Sequence, residues 1–269
     1  MYIDDATRSD LIRVAHLMAD AARPETLRLF RSPDLSADDK GAGAFDPVTA
    51  ADRAAEEAMR AVLARERPDD AVLGEEFGTT PGTSGLTWVL DPIDGTRGYI
   101  SGTPTWGVLI AVSDAEGPVF GLIDQPYIGE RFAGGFGVTE VTGPHGISPL
   151  QARAGSDLAG ATLLTTFPEI GTDLERRAFR AVADQVRLTR YGMDCYGYAL
   201  LAAGQVDLVI EAGLNAYDIQ APIAVITAAG GIVTDWRGGP AHEGGRVIAA
   251  ANPRVHAEAL ALLQAVVDG

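Results

Sequence analysis

Cysteine is almost absent from this chain: Cys195 is the single thiol in 269 residues. One thiol excludes an internal disulfide framework and any cysteine-rich zinc site, and it suits a reducing compartment. Histidine is nearly as sparse, and His16, His145, His242 and His256 stand singly without metal-ligand spacing, which argues against a zinc hydrolase. Basic residues are in deficit, 21 Lys and Arg against 37 Asp and Glu, giving a formal net charge of -16. Nucleic-acid binders need a basic footprint to replace released counterions, so no nucleic-acid partner is expected. No apolar run approaches the ~20 residues of a membrane-spanning helix. The opening MYIDDATRSD has no basic patch leading into an apolar segment, so neither a secretory signal nor a transit peptide is expected, and the expectation is a soluble, cytoplasmic protein without a membrane partner. Neither G-x-x-x-x-G-K-[ST] nor G-x-G-x-x-G occurs, which removes the usual nucleotide-binding fingerprints. The negative charge would also repel a small phosphorylated substrate unless divalent cations mediate the contact.

The residues present, 46% hydrophobic and 22% charged, suit a globular enzyme. A single body with two lobes is expected, 1–150 and 151–269, because the stretch from Pro144 to Ala154 is all punctuation. Apolar residues from Ile3 to Ala22 recur at helical steps, and Arg23-Pro24 is the predicted stop. Phe30 to Ala44 reads as a surface loop containing the lone Lys40. In DPVTAADRAAEEAMRAVLARERP, Asp46 reads as an N-cap with Pro47 at the first helical position, and the helix runs to Pro68. Strand-like pieces follow: AVLG, TWVLD, WGVLIAVSD, GPVFGLIDQP and ERFAGGFGVTEV. The second half alternates strand and helix and closes with a helix from Pro253 to Val267. Helices covering sheets in layers, an α+β or α/β sandwich, are the predicted architecture.

WVLDPIDGT carries the chemistry. The predicted strand ends at Asp91, Pro92 fixes the backbone direction, Asp94 returns beside Asp91, and Gly95 permits close approach to a ligand. Two carboxylates within about 5 Å repel by roughly 3 kcal/mol at an effective dielectric near 20, so they call for a cation or a shared proton. Mg2+ takes oxygen ligands and typically binds one or two carboxylates plus substrate phosphate. A helix turn starting near Gly95-Thr96 would offer N–H groups to an anion. Asp-Pro and Asp-Gly are equally ordinary turn formers, Glu75 and Glu76 of GEE also suit a solvated turn, and Asp218 also suits a helix cap.

The four motifs DPVTAAD, GEE, WVLDPIDGTRGYISG and YDIQAPIAVITAAGG, in that order, resemble the inositol monophosphatase family of Mg2+-dependent, lithium-sensitive phosphatases. DGTRGYISG, WGVLIAV and DQPYIGERF look most like its histidinol-phosphatase branch. The resemblance implies a layered α-β-α-β-α sandwich of the inositol monophosphatase and fructose-1,6-bisphosphatase type, two or three Mg2+ ions, and a homodimer. It implies Glu75, Asp91, the Ile93 carbonyl, Asp94 and Asp218 as metal ligands. It further implies catalytic roles for Glu75 and for Thr96, the latter oriented by Asp46, with Glu76 orienting Glu75 or a water. Backbone N–H groups of Gly95 and Thr96 would take phosphate, and Asp194 and Glu211 would read the rest of the substrate. Two acids there suit a cationic amino alcohol, L-histidinol phosphate, better than a neutral polyol. Inositol 1-phosphate or a 3'-phosphonucleotide are the alternatives within this chemistry, and a catalytically silent metal-binding interaction protein is the alternative outside it. Arg97 and Arg190 suit either the pocket or an interface, and Cys195 reads as buried packing.

Overall fold

Leu11, Val14, Ala15, Met18 and Ala22, three and four residues apart, form the buried face of the first helix. Asp4 caps it, accepting from Thr7 N at 2.7 Å. The helix does not stop at Arg23-Pro24 as the sequence predicts but continues to Leu29 with Pro24 inside it. Proline frees the carbonyl of residue 20, and Asp20 is exposed, so that carbonyl is on the solvent side of the helix. Past the proline, Thr26 and Phe30 are buried, and that packing outweighs the lost bond.

The computed structural model describes residues 3–39, 47–167, 169 and 171–267. Its first part runs α1 (Asp5–Leu29), β1 (Ala37–Asp39), β2 (Pro47–Thr49), α2 (Ala50–Glu66), β3 (Ala71–Gly74), β4 (Gly78–Thr80), β5 (Thr87–Asp94) and α3 (Thr96–Ile100). Next come β6 (Gly107–Asp114), β7 (Gly117–Gln125), β8 (Glu130–Gly135), β9 (Val138–Gly143) and β10 (Gly146–Pro149). The second part runs β11 (Thr162–Thr165), α4 (Asp173–Ala183), β12 (Leu188–Tyr191), α5 (Asp194–Ala202), β13 (Leu208–Leu214), α6 (Ala216–Ala228), β14 (Ile232–Asp235), β15 (Gly245–Ala250) and α7 (Pro253–Val267). The start of α2 departs from the sequence prediction. Pro47 lies in β2, and the N-cap is Thr49, which forms a capping box with Asp52. Reciprocal bonds from Thr49 and Asp52 satisfy two orphan donors, which the Asp46-Pro47 alternative cannot do. Asp46 and Lys40 lie outside the described residues.

Strands β3 to β10 form one sheet in the order β10-β9-β8-β7-β6-β5-β3-β4, and β11 to β15 form a second in the order β12-β11-β13-β15-β14. Within β6, Val108, Ile110 and Val112 face a core shared with α1 and α2, while Leu109 and Ala111 face a core shared with α5 and α6. A strand buried on both faces reads as a continuous apolar run, and GVLIAV is one. The middle core joins both sheets, from Leu109 and Ile123 to Val209 and Val247. A third core packs α4 and α7, through Phe179, Val182, Val255 and Leu263, on the outer face of the second sheet. The layers are therefore α-β-α-β-α, the sandwich expected.

Helix α6 sits close on the first sheet because two glycines face it. Gly121 and Gly134 are cross-strand partners on β7 and β8. A Cβ at Gly121 would lie 2.4 Å from Ala221 O, and one at Gly134 would lie 2.5 Å from Val225 Cα. Backbone cannot yield as a flexible side chain would, so Gly134→Ala should lift α6 and cost about 1–3 kcal/mol. Urea unfolding of the variant beside wild type measures this; an unchanged midpoint would show that the helix has room to spare.

Candidate active site

Strand β5 carries the centre of the site. It does not end at Asp91 as the sequence suggests: pairing with β6 continues, Asp91 opposite Leu109 and Asp94 opposite Gly107, with a register shift between. Three steps on one strand against two on the other is a β-bulge, which brings Asp91 and Asp94 back to one side when strict alternation would separate them. Pro92 sits in the bulge, where its missing N–H is tolerated. Ile93 N donates to Asp91 Oδ1 at 3.0 Å, fixing that carboxylate.

Asp218 arrives from α6, far along the chain from β5. It is the third residue of α6, and its Oδ2 accepts from Asn215 N at 2.6 Å, so it does cap the helix. Yet Asp91, Asp94 and Asp218 each present an oxygen within 4.8 Å of the others. Glu75 joins them through strand register. Gly74 pairs with Leu90 in the parallel β3–β5 ladder, and Glu75 N donates to Leu90 O at 3.1 Å, so the next rung sets Glu75 beside Asp91. Glu75 stands outside the tight group of three but acts on it. Burial pushes the Asp91 carboxyl well above the usual range, and the charges of Glu75, Asp94 and Asp218 push it further. Burial likewise raises Asp94, with Asp218, Asp194 and Glu211 adding to it and the 2.7 Å bond from Cys195 N opposing. An all-oxygen set of crowded carboxylates fits a hard divalent cation.

Thr96 opens the short helix α3, behind Gly95 in the left-handed region at φ 86°. Its Oγ1 lies 3.1 Å from Ile93 O and 3.3 Å from Asp52 Oδ1. The described carboxylate that meets Thr96 is thus Asp52, which the sequence reading missed. Its signal was the Thr49-x-x-Asp52 capping box: Oδ2 accepts from Thr49 N at 2.9 Å and Thr49 Oγ1 at 2.5 Å, leaving Oδ1 for Thr96. Burial raises the Asp52 carboxyl, offset in part by those bonds.

Residues from the second half of the chain complete the site. Asp194 starts α5 in the left-handed region, at φ 46°. Its Oδ2 accepts from Thr105 Oγ1 at 2.6 Å, and its side chain packs on Gly95, where a Cβ would come within 2.7 Å. Glycine at 95 is required twice, for its φ and for this contact. Burial raises the Asp194 carboxyl. Glu211, on β13, accepts from Thr166 N at 2.9 Å and Thr166 Oγ1 at 2.6 Å. Burial pushes it up to about 7 despite those bonds. All of Glu75, Asp91, Asp94, Thr96, Asp194, Glu211 and Asp218 line one cavity of about 460 Å³. Arg97 lines it too, its guanidinium 4.9 Å from the Phe167 ring centre. Arg190 is exposed on the edge strand β12 and is not among the lining residues. Cys195 is buried, as expected, and its backbone serves Asp94.

The sequence profile of the inositol monophosphatase family matches residues 7–268. The chain belongs to the inositol monophosphatase family. Members are phosphoric monoester hydrolases, and this chain is a phosphatase of the family. It is 39% identical to a histidinol-phosphatase of Streptomyces coelicolor, covering 97% of each chain. It is 40% identical to the chloroplastic bifunctional phosphatase IMPL2 of Arabidopsis thaliana, over 88% of this chain and 67% of that one. A solved inositol monophosphatase of Zymomonas mobilis is also 39% identical, with a TM-score of 0.84 over 95% of this chain and 98% of that one. Relatives named for different substrates stand at equal identity, so the family fixes the chemistry and leaves the substrate to the cavity. Among the described residues, no helix is long and apolar enough to cross a membrane.

Glu211 gives a pH signature. Its folded pKa, about 7, lies above the ordinary value of 4.5, so the folded state holds the extra proton and stability falls as pH rises through that window. Replacing it with a neutral isostere removes the loss. In metal-free buffer, Glu211→Gln should gain on wild type by on the order of 3 kcal/mol between pH 4.5 and pH 8. Urea unfolding at the two pH values checks this, and a pH-independent difference would contradict it.

Proposed function

We propose that this phosphatase hydrolyses the phosphate ester of a small cationic amino alcohol, L-histidinol phosphate, with Mg2+ as the ion. The observation that carries the substrate is a surplus of acid. Once Glu75, Asp91, Asp94 and Asp218 are assigned to metal, Glu169, Asp194 and Glu211 remain against one arginine, Arg97, among the described lining residues. A neutral polyol gives those acids nothing to neutralise, whereas an ammonium or imidazolium group does. Equal identity to relatives named for histidinol phosphate and for inositol phosphate is compatible with either substrate, so the preference rests on this charge.

Asp91, Asp94 and Asp218, with Glu75 and the Ile93 carbonyl, would hold two or three divalent ions. Bound there, such ions supply positive charge to phosphate and departing alkoxide and acidify water. The chain's own groups do the rest. With its proton directed at Asp52 Oδ1, Thr96 Oγ1 turns a lone pair to the cavity and holds an attacking water. We assign to Asp52 the orienting role that the family resemblance gave to Asp46. Backbone N–H groups of Gly95 and Thr96 take phosphate oxygens, and Asp194 and Glu211 hold the cationic half so that the ester faces the ions. A catalytically silent protein would have no use for both the acidic cluster and the Asp52–Thr96 pair. We further propose a cytoplasmic homodimer.

Phosphate release with Mg2+ should be fastest on histidinol phosphate, compared with inositol 1-phosphate and 3'-phosphoadenosine 5'-phosphate; equal slow rates on all three would remove the substrate reading. Asp94→Asn should remain folded yet lose activity by two or more orders of magnitude, about what one electrostatic group supplies. An active Asp94→Asn enzyme would contradict the ligand set.

A further inference from the structure

Helix α2 carries a second buried carboxylate one turn beyond Asp52. Glu56 is fully buried and is not among the residues lining the cavity. Its Oε2 accepts from Glu76 N at 2.7 Å and its Oε1 from Phe77 N at 3.3 Å. Those amides belong to the turn 75–77 that joins β3 to β4, in which Gly74 pairs with Gly78. Arg60 completes the hold. Its Nε donates to Glu56 Oε1 at 2.7 Å, Nη1 to Thr80 Oγ1 at 2.9 Å, and Nη2 to Gly78 O at 2.5 Å. Glycine at 74 leaves the space: a Cβ there would lie 1.9 Å from Glu56 Oε1.

A turn of this length is closed by the strand pairing on either side, so the fold alone gives no reason to bury a carboxylate against it. Burying a charge is unfavourable unless it is paired and hydrogen-bonded, and the bonds made are the strong, charge-assisted kind with strict geometry. They fix the backbone immediately after Glu75, while the Glu75 N bond to Leu90 O fixes the backbone before it. The side chain between these two anchors is the one that acts on Asp91.

We propose that Glu56, held by Arg60, is a positioning residue for the metal centre: it aims Glu75 without touching metal or substrate. This rests on the metal-dependent reading above. Calorimetric titration of the full chain with Mg2+, for wild type, Glu56→Asp and Glu56→Gln, tests it alongside thermal unfolding in EDTA. Glu56→Asp keeps the charge and the pairing with Arg60 but withdraws the oxygens from the turn by one methylene. It should unfold cooperatively in EDTA, as wild type does, yet bind Mg2+ about ten- to a hundredfold more weakly, the usual loss when a ligand's supporting partner is removed. Glu56→Gln should lose at least as much if it folds. A folded Glu56→Asp protein with wild-type Mg2+ affinity overturns the proposal. Loss of cooperative unfolding in both variants also overturns it, because the pair is then a strut of the fold alone. A wild-type chain that takes up no Mg2+ would sink the metal-dependent reading itself, an outcome distinct from wild-type binding with unaltered variants.

Discussion

Mutual repulsion among crowded carboxylates, Asp91 buried and Asp94 and Asp218 half-buried, is the constraint on which the rest of the structure depends. Three of them converge within 4.8 Å, and at that separation each ionised pair repels by roughly 3 kcal/mol at an effective dielectric near 20. No packing of apolar side chains nearby relieves that. The carboxylates must be held against the repulsion until a cation or protons arrive, and the holding is done by backbone. A bulge turns Asp91 and Asp94 to one side, a helix start delivers Asp218, and a parallel rung sets Glu75 alongside. Each of these devices is itself anchored in a sheet or helix whose other faces are apolar core.

The same constraint explains why the site draws on both large sheets. Asp94 belongs to the first sheet, but the amide that bonds its Oδ2 comes from Cys195 at the start of α5. Asp194, one residue earlier, is pinned from the other direction by Thr105, just ahead of β6, and packs on Gly95. The segment 94–105 and the start of α5 therefore exchange a hydrogen bond in each direction at the edge of the cavity. Changes around α5 and β13 act on a cavity whose acidic cluster is kept in register by these two bonds. That arrangement is consistent with a family whose relatives, equally similar to this chain, are named for different substrates.

Most of the acidic set was legible in sequence because each member sits beside a local signal: proline and glycine around Asp91 and Asp94, GEE after a short strand, and a helix start at Asp218. Layering was legible too, since the doubly buried β6 reads as an unbroken apolar run. What misled was competition between two good local rules. Asp46-Pro47 and Thr49-x-x-Asp52 both announce a helix start, and the second wins because its bonds are reciprocal. Losing that choice also hid the carboxylate facing Thr96. Pro24 misled in the same manner, as a local stop signal overridden by the burial of Thr26 and Phe30. Thr166, Phe167 and Glu56 left no signal at all, because their roles depend on elements distant in the chain coming together.

Asp52 and Asp218 solve one problem by the same means. Both stand third in their helices, and both give Oδ2 to the backbone N–H of the N-cap residue, Thr49 in one case and Asn215 in the other. A capping bond fixes one oxygen and so aims the second, which for Asp52 is the oxygen at Thr96. The first turn of a helix is also where its dipole favours negative charge, so a carboxylate at this position does not oppose the helix that positions it. A longer acid would still cap, since glutamate is common at this position, but it would swing the free oxygen away from where it is needed. Helix stability therefore tolerates a choice at these two positions that the site does not, and the length of the side chain is set by the oxygen that the cap leaves over.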